Sequence, residues 1–140
     1  PKGIDQIPPS SLYLKPGEQK NFCIVDAAMN DLPRPAMYQA FHTIVPLTEA
    51  QQVQGEGAGL VCDVVGPVCE SGDWIGRDRA LAVAAGDRLA VLSAGAYCMS
   101  MSSNYNSRPK AAEVLVDANH YHLIRARDTL ADQMRGEHLL

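Results

Sequence analysis

Apolar and polar positions along this chain alternate in short runs, and turn-forming residues interrupt them every few positions. Leu12-Tyr13-Leu14 has a short strand pattern and is followed by a turn at Lys15-Pro16-Gly17-Glu18. Asn21 to Val25 (NFCIV) reads as a buried strand running into Asp26-Ala27-Ala28-Met29-Asn30-Asp31, together a hairpin signal. Ala40 to Val45 is a strand pattern ended by Pro46, and Leu60 to Val65 is the next one. Ala80 to Val83 and Arg88 to Ser93, divided by a turn at Gly86-Asp87, supply two more. Glu113 to Asp117 and His120 to Arg125 close the series.

The intervening stretches are polar or irregular. Residues 1–11 form a lead-in with Pro8-Pro9, which leaves 12–140 as one domain. Glu49 to Gly59 is a flexible polar connection, and Arg77-Asp78-Arg79 a solvated face. Two short helices complete the pattern. One starts near Pro35, since proline is tolerated in a first helical turn. The other spans Thr129 to Arg135, capped by Asp128 or Thr129 and stopped by Gly136. The pattern predicts a mainly β, mostly antiparallel Greek-key-like barrel or sandwich with one or two short helices.

Composition narrows the function classes. The 140 residues suit one domain, and 16 acids against 12 bases give a formal net charge of −4 with no basic run. Nucleic acid and anionic membranes are therefore poor partners, and no apolar run reaches the length of a membrane span. Cys23, Cys62, Cys69 and Cys98 are scattered, without a C-x-x-C, which points to a reducing cytoplasm. His120 and His122 share one strand face, but no close cysteine pair joins them, so no metal is expected.

Candidate chemistry gathers at Gly66-Pro67-Val68-Cys69-Glu70-Ser71-Gly72-Asp73, with a thiol, two carboxylates and a hydroxyl in five consecutive positions. A packed strand has no use for that mixture; a loop presenting chemistry does, although a polar turn around one buried cysteine is the plain alternative. Arg34 and Tyr38 are four apart, so one helical turn points both the same way, as a carboxylate clamp or as a surface arginine on tyrosine. The stretch from Ala94-Gly95-Ala96-Tyr97 to Ser100–Pro109 offers small residues, hydroxyls and amides around a close-approaching ligand.

These stretches together resemble the carboxy-terminal β domain of the pyridoxal-phosphate-dependent decarboxylases that act on diaminopimelate, ornithine and arginine, with an alanine-racemase-like fold. The resemblance is carried by YLKPGE at 13–18, VDAAMNDL at 25–32 and Arg34-Pro35. It continues through GPVCESGD at 66–73, AGAY at 94–97 and MSSNYNSRP at 101–109. The glutamate after Cys69 favours the diaminopimelate branch, since the ornithine branch carries an aspartate there. Pro33 stands where an aliphatic residue is usual, and Cys98-Met99 where Gly-Phe is usual.

The resemblance implies decarboxylation of meso-diaminopimelate to L-lysine with pyridoxal 5'-phosphate, in a homodimer with shared active sites. Cys69 corresponds to the proton donor, and a thiol with a reference pKa of about 8.5 is mostly protonated yet able to give its proton up. Glu70 corresponds to the residue that binds the distal ammonium, completing the partner subunit's site. Arg34 and Tyr38 correspond to the distal-carboxylate clamp, and Tyr97 to a tyrosine that contacts cofactor phosphate and substrate. The family's amino-terminal β/α barrel, with its cofactor lysine, has no counterpart in the pattern, so this chain alone is expected to be inactive. Two other readings stay open: a non-catalytic dimerisation or regulatory module, and a domain of an ornithine or arginine decarboxylase.

Overall fold

The computed structural model describes residues 11–47 and 59–139. Most of the expected lead-in and of the polar connection at 49–59 lies outside the described residues. Strands β1 (Ser11–Lys15), β2 (Asn21–Val25), β4 (Leu60–Val65) and β5 (Trp74–Leu81) form one sheet in the order β1-β2-β4-β5. Strand β3 (Ile44–Pro46) pairs with β6 (Leu89–Val91), and β7 (Glu113–Asp117) with β8 (His120–Arg125). Helix α1 covers Arg34–Tyr38, α2 Cys98–Met101 and α3 Leu130–Gln133, with a single 3-10 turn at Tyr105–Ser107.

The mainly β expectation holds, but among the described residues the three sheets do not close into a barrel. Pairing is mostly antiparallel, as expected, with one parallel pair. The β1–β2 hairpin turns at the Lys15–Glu18 signal, while β2 lies parallel to β4. A parallel pair needs a long crossover, and α1 with β3 supplies it. The segment 26–31 therefore starts this crossover rather than turning a hairpin.

Three further boundaries move. The strand expected over 40–45 shrinks to Ile44–Pro46, since residues 39–43 follow the left-handed Gln39 that ends α1. The expected solvated face at 77–79 is the middle of β5, which absorbs Ala80 and Leu81 as well. A bulge lets it do so: Cys62 pairs with Arg79 and Val64 with Gly76, so Arg77 and Asp78 both face Asp63. Asp78 takes φ 53° there, and its N–H donates to Asp63 Oδ1 at 2.9 Å. Helix α2 is additional; at four residues it is too short to leave an apolar periodicity in the sequence.

The core sits between the four-stranded sheet and the β3–β6 pair. Cys23 and Val25 of β2, Cys62 and Val64 of β4, and Ile75 of β5 meet Ile44, Leu89 and Val91 of the β3–β6 pair. Leu32, Ile75 and Leu89 are essentially fully buried, each contributing about 1.5–3 kcal/mol. The β7–β8 hairpin stands outside this core: every residue of β8 is exposed, with Tyr121 at 80% and Leu123 at 64%. No helix among the described residues is long and apolar enough to cross a membrane.

The connection between β4 and β5 is residues 66–73, and one carboxylate holds it. Asp73 is buried; its Oδ1 accepts from Met29 N–H at 2.6 Å and its Oδ2 from Val68 N–H at 2.7 Å. Burial pushes the Asp73 carboxyl up from its ordinary range, against the pull of those two donors. Gly66 leaves room for it, because a Cβ at 66 would run into the Asp73 carboxylate and the Ala27 carbonyl. Asp73→Asn turns an NH2 toward one of the two backbone donors, leaving a buried group unsatisfied at a cost of about 1–3 kcal/mol. A thermal melt of the variant is expected to show that loss; an unchanged melting temperature would show that the clip is idle.

Candidate functional site

The loop that Asp73 fixes presents Cys69 at its tip. Glu70 N–H donates to the Val68 carbonyl at 2.8 Å, a three-residue turn with Cys69 at its centre. Gly66 N–H to Asp73 O (3.0 Å) and Asp73 N–H to Glu70 O (3.0 Å) close the base of the loop. Cys69 is exposed, so the reading of a turn around a buried cysteine does not survive. The buried thiols are Cys23, Cys62 and Cys98. A hydrogen bond with Cys23, and then burial, push the Cys62 thiol far up, away from thiolate chemistry.

Glu70 is exposed beside Cys69, yet its carboxylate is held. Oε1 accepts from Ser71 Oγ at 3.2 Å and from Gly72 N–H at 3.3 Å. These donors, Gly72 first, hold the Glu70 carboxyl below its ordinary range. The loop thus offers a thiol and a fixed anion side by side. With Ser71, Trp74 and Arg77 it borders a shallow cavity of about 290 Å³.

Arg34, Tyr38 and Tyr97 form a second group. Helix α1 begins at Arg34, and the departure at Pro33 is harmless: the proline takes helical angles (φ −77°, ψ −19°), and its carbonyl accepts from Met37 N–H at 2.9 Å. The Arg34 guanidinium lies over the Tyr97 ring, 5.1 Å from its centroid. Among the described residues it has no ion pair. Tyr38 and Tyr97 are exposed, at 61% and 53%, and neither phenol has a hydrogen-bond partner among the described residues. Sequence spacing pairs Arg34 with Tyr38; the structure adds Tyr97, from the segment that follows β6.

That segment is fixed from beneath. Leu92 N–H donates to the Thr43 carbonyl at 2.8 Å, and His42 Nδ1 meets the Leu92 carbonyl at 3.2 Å, extending the β3–β6 ladder. Cys98 at the other departure from the family pattern is buried at the start of α2. No hydrogen bond, ion pair or ring contact among the described residues joins the Arg34–Tyr97 group to the Cys69–Glu70 loop, and the cavity beside Glu70 includes none of Arg34, Tyr38 or Tyr97.

The donors suit a phosphorylated cofactor in part. The uncommitted Tyr97 phenol can donate to a phosphate oxygen, with the Arg34 cation nearby. Covalent attachment through a lysine does not suit Lys20, whose ammonium is paired with Asp63 at 2.9 Å and Asp78 at 3.6 Å. The Asp63 hydrogen bond raises the Lys20 pKa, opposite to what an amine nucleophile needs.

Sequence reasoning missed the residues that seat the loop on its neighbours. Arg108 Nε donates to Asn30 Oδ1 at 2.9 Å and Arg108 Nη2 to the Asp26 carbonyl at 2.5 Å, tying the 101–109 stretch to 26–31. Asn30 is buried and also donates to the Ser103 carbonyl at 3.3 Å. Tyr105, delivered by this stretch, places its hydroxyl 3.5 Å from Glu70 Oε2. The available signal was the density of Asn, Asp and Arg in two loops that hydrophobic patterning leaves blank.

Residues 10–95 match the model of the pyridoxal-dependent decarboxylase C-terminal sheet domain. Diaminopimelate decarboxylase of Neisseria meningitidis serogroup B is 55% identical over 125 residues, 89% of this chain and 29% of that protein. The Vibrio cholerae diaminopimelate decarboxylase is 52% identical over 128 residues, covering 91% of this chain and 30% of that protein. The crystal structure of the M. jannaschii diaminopimelate decarboxylase in complex with L-lysine superposes with a TM-score of 0.85 at 34% identity, over 96% of this chain and 30% of that one. The chain thus spans about 30% of the length of the relatives it matches. It belongs to the pyridoxal-dependent decarboxylase family, as the C-terminal sheet domain of such an enzyme.

Proposed function

We propose that this domain completes the active sites of a homodimeric diaminopimelate decarboxylase, which converts meso-diaminopimelate to L-lysine and carbon dioxide. The observation that carries this reading is the division of the candidate site residues into two separate groups: Arg34 with Tyr97, and Tyr38 on the same helix, against the exposed Cys69 beside the oriented Glu70 carboxylate. One group is cationic and phenolic, the other an anion with a thiol. A substrate whose far end carries both a carboxylate and an ammonium calls for both kinds of partner. Their separation supports a site shared between subunits, in which one protomer supplies Arg34, Tyr38 and Tyr97 and its partner supplies the Cys69 loop.

Pyridoxal 5'-phosphate, when bound, supplies the electron sink for loss of carbon dioxide. What this chain contributes is position and a proton. Tyr97, stacked beneath the Arg34 guanidinium, would donate its hydroxyl to the cofactor phosphate. Arg34 and Tyr38 bind the distal carboxylate, and Glu70 the distal ammonium. Cys69 gives the proton to the carbon that has lost its carboxylate. The chain alone is inactive on this reading, because the family's cofactor lysine belongs to its amino-terminal β/α barrel and none of Lys15, Lys20 or Lys110 lies in that lysine motif.

A non-catalytic dimerisation module has less support, since such a module has no need to keep an exposed thiol beside a pre-oriented carboxylate. An ornithine or arginine decarboxylase also has less, because those substrates offer no distal carboxylate to Arg34.

In the full-length enzyme, Cys69→Ala is expected to reduce kcat by about 10²–10⁴-fold, the usual value of general acid help, with KM little changed. Wild-type turnover and product stereochemistry in that variant would return Cys69 to a structural role. Arg34→Ala is expected to cost about 2–5 kcal/mol in kcat/KM toward diaminopimelate, the penalty for unpairing a buried charge. Steady-state kinetics with diaminopimelate and with lysine measure it. An unaltered preference between the two would remove Arg34 from the clamp.

A further inference from the structure

The Glu70 carboxylate is bound asymmetrically. Oε1 carries both loop donors, Ser71 Oγ and Gly72 N–H. On Oε2 the donor among the described residues is the Tyr105 hydroxyl at 3.5 Å, the long limit of a hydrogen bond. A cation approaching Glu70 therefore meets the oxygen that Tyr105 touches.

Tyr105 reaches that position through an ordered and strained segment. Its N–H takes a hydrogen bond to Ser103 Oγ at 3.3 Å, and Asn104 Nδ2 donates to the Arg108 carbonyl at 2.9 Å. Asn106 and Ser107 both lie in the left-handed region, at φ 61° and 56°. Two consecutive non-glycine residues there are unfavourable, and such conformations persist where the surroundings over-determine them. Here Arg108, anchored on Asn30 and Asp26, over-determines the turn. The same 26–31 segment donates Met29 N–H to Asp73, which holds the Glu70 loop. Tyr105 and Glu70 are thus referenced to one rigid base, although they are 35 positions apart in the chain.

We propose that Tyr105 is a specificity-determining residue of the Glu70 half-site: its hydroxyl fixes Oε2 so that the carboxylate meets a primary ammonium in one orientation. This deepens the function proposed above and rests on Glu70 as the ammonium partner. The phenol is a donor without charge, so it orients the carboxylate without neutralising it, as a lysine or arginine at 105 would. Tyr105 is a positioning residue acting through Glu70, and its removal weakens substrate binding rather than the proton transfer.

The test uses the full-length holoenzyme with Tyr105→Phe and Glu70→Gln, each assayed with diaminopimelate as substrate and 2-aminopimelate, which lacks the distal ammonium, as competing ligand. Tyr105→Phe keeps the ring, and its melting temperature should match wild type. Its KM for diaminopimelate is expected to rise about 2–10-fold, the value of one long, exposed hydrogen bond, with kcat nearly unchanged. The inhibition constant of 2-aminopimelate should not move in either variant. If Glu70→Gln selectively weakens diaminopimelate and Tyr105→Phe does not, the role of Tyr105 is overturned and the ammonium reading stands. An equal loss for both ligands in Tyr105→Phe also overturns it, leaving a general structural role. If Glu70→Gln is itself unselective, the ammonium reading falls and Tyr105 falls with it.

Discussion

The Asp73 carboxylate accepts one backbone N–H from its own loop, at Val68, and one from the crossover segment, at Met29. Much of the domain's functional end depends on that bridge. It draws the 66–73 loop onto 26–31, and Arg108 draws the 101–109 stretch onto the same segment through Asn30 and Asp26. Three loops far apart in sequence become one platform. A carboxylate suits this junction because it is acceptor-only and can take a donor on each oxygen. Asp31 repeats the device nearby: it accepts from Ala28 N–H at 3.0 Å, and burial likewise pushes its carboxyl up. Both acids carry raised folded pKa values, so their ionised forms cost some stability, which is recovered as pH falls through those values. The platform accepts that cost in return for rigidity.

On the proposed function, rigidity serves the chemistry because Cys69 and Glu70 are exposed. An exposed side chain loses entropy when it is held, so a loop that must present a thiol and a carboxylate in fixed positions needs its backbone immobilised first. The turn centred on Cys69 and the two donors on Glu70 Oε1 do this locally. The Arg34–Tyr97 group uses a different solution. There a five-residue helix and the ladder extension at Thr43 and Leu92 bring a cation over an aromatic face, without a buried polar bridge. The exposed apolar surface of β7–β8, with Tyr121, Leu123 and Ile124, fits a domain that is one part of a larger enzyme.

Much of the β content was legible in sequence because β2, β4, β7 and β8 are short apolar or β-branched runs between turn residues. The cap expected at Asp128 or Thr129 is equally local: Thr129 caps α3 in a box with Asp132, although the helix ends at Gln133, before the expected Arg135. Legibility failed where pairing overrode local pattern. The charges at 77–79 look like a solvated face, but Asp63 opposite them stabilises a bulge, and Arg79 stacks on Phe41 at 3.7 Å. The parallel register of β2 and β4 leaves no trace in either strand alone. The candidate site residues were legible as types in a loop, and the roles proposed for them come from the family resemblance. Tyr105 was not, because its meaning lies in a contact with Glu70 that only the folded chain creates.

The central claim is that the two groups of site residues on one chain serve two different active sites. Mixing full-length subunits carrying Arg34→Ala with subunits carrying Cys69→Ala tests it most directly. In a mixed dimer with shared sites, one site collects both substitutions and the other collects neither. Random reassociation of two inactive parents should then restore about one quarter of wild-type activity, since half the dimers are mixed and half of their sites are intact. Activity that stays at the level of the parents, with mixed dimers demonstrably formed, would mean that Arg34 and Cys69 act within one subunit's site, and the account of two half-sites would be wrong.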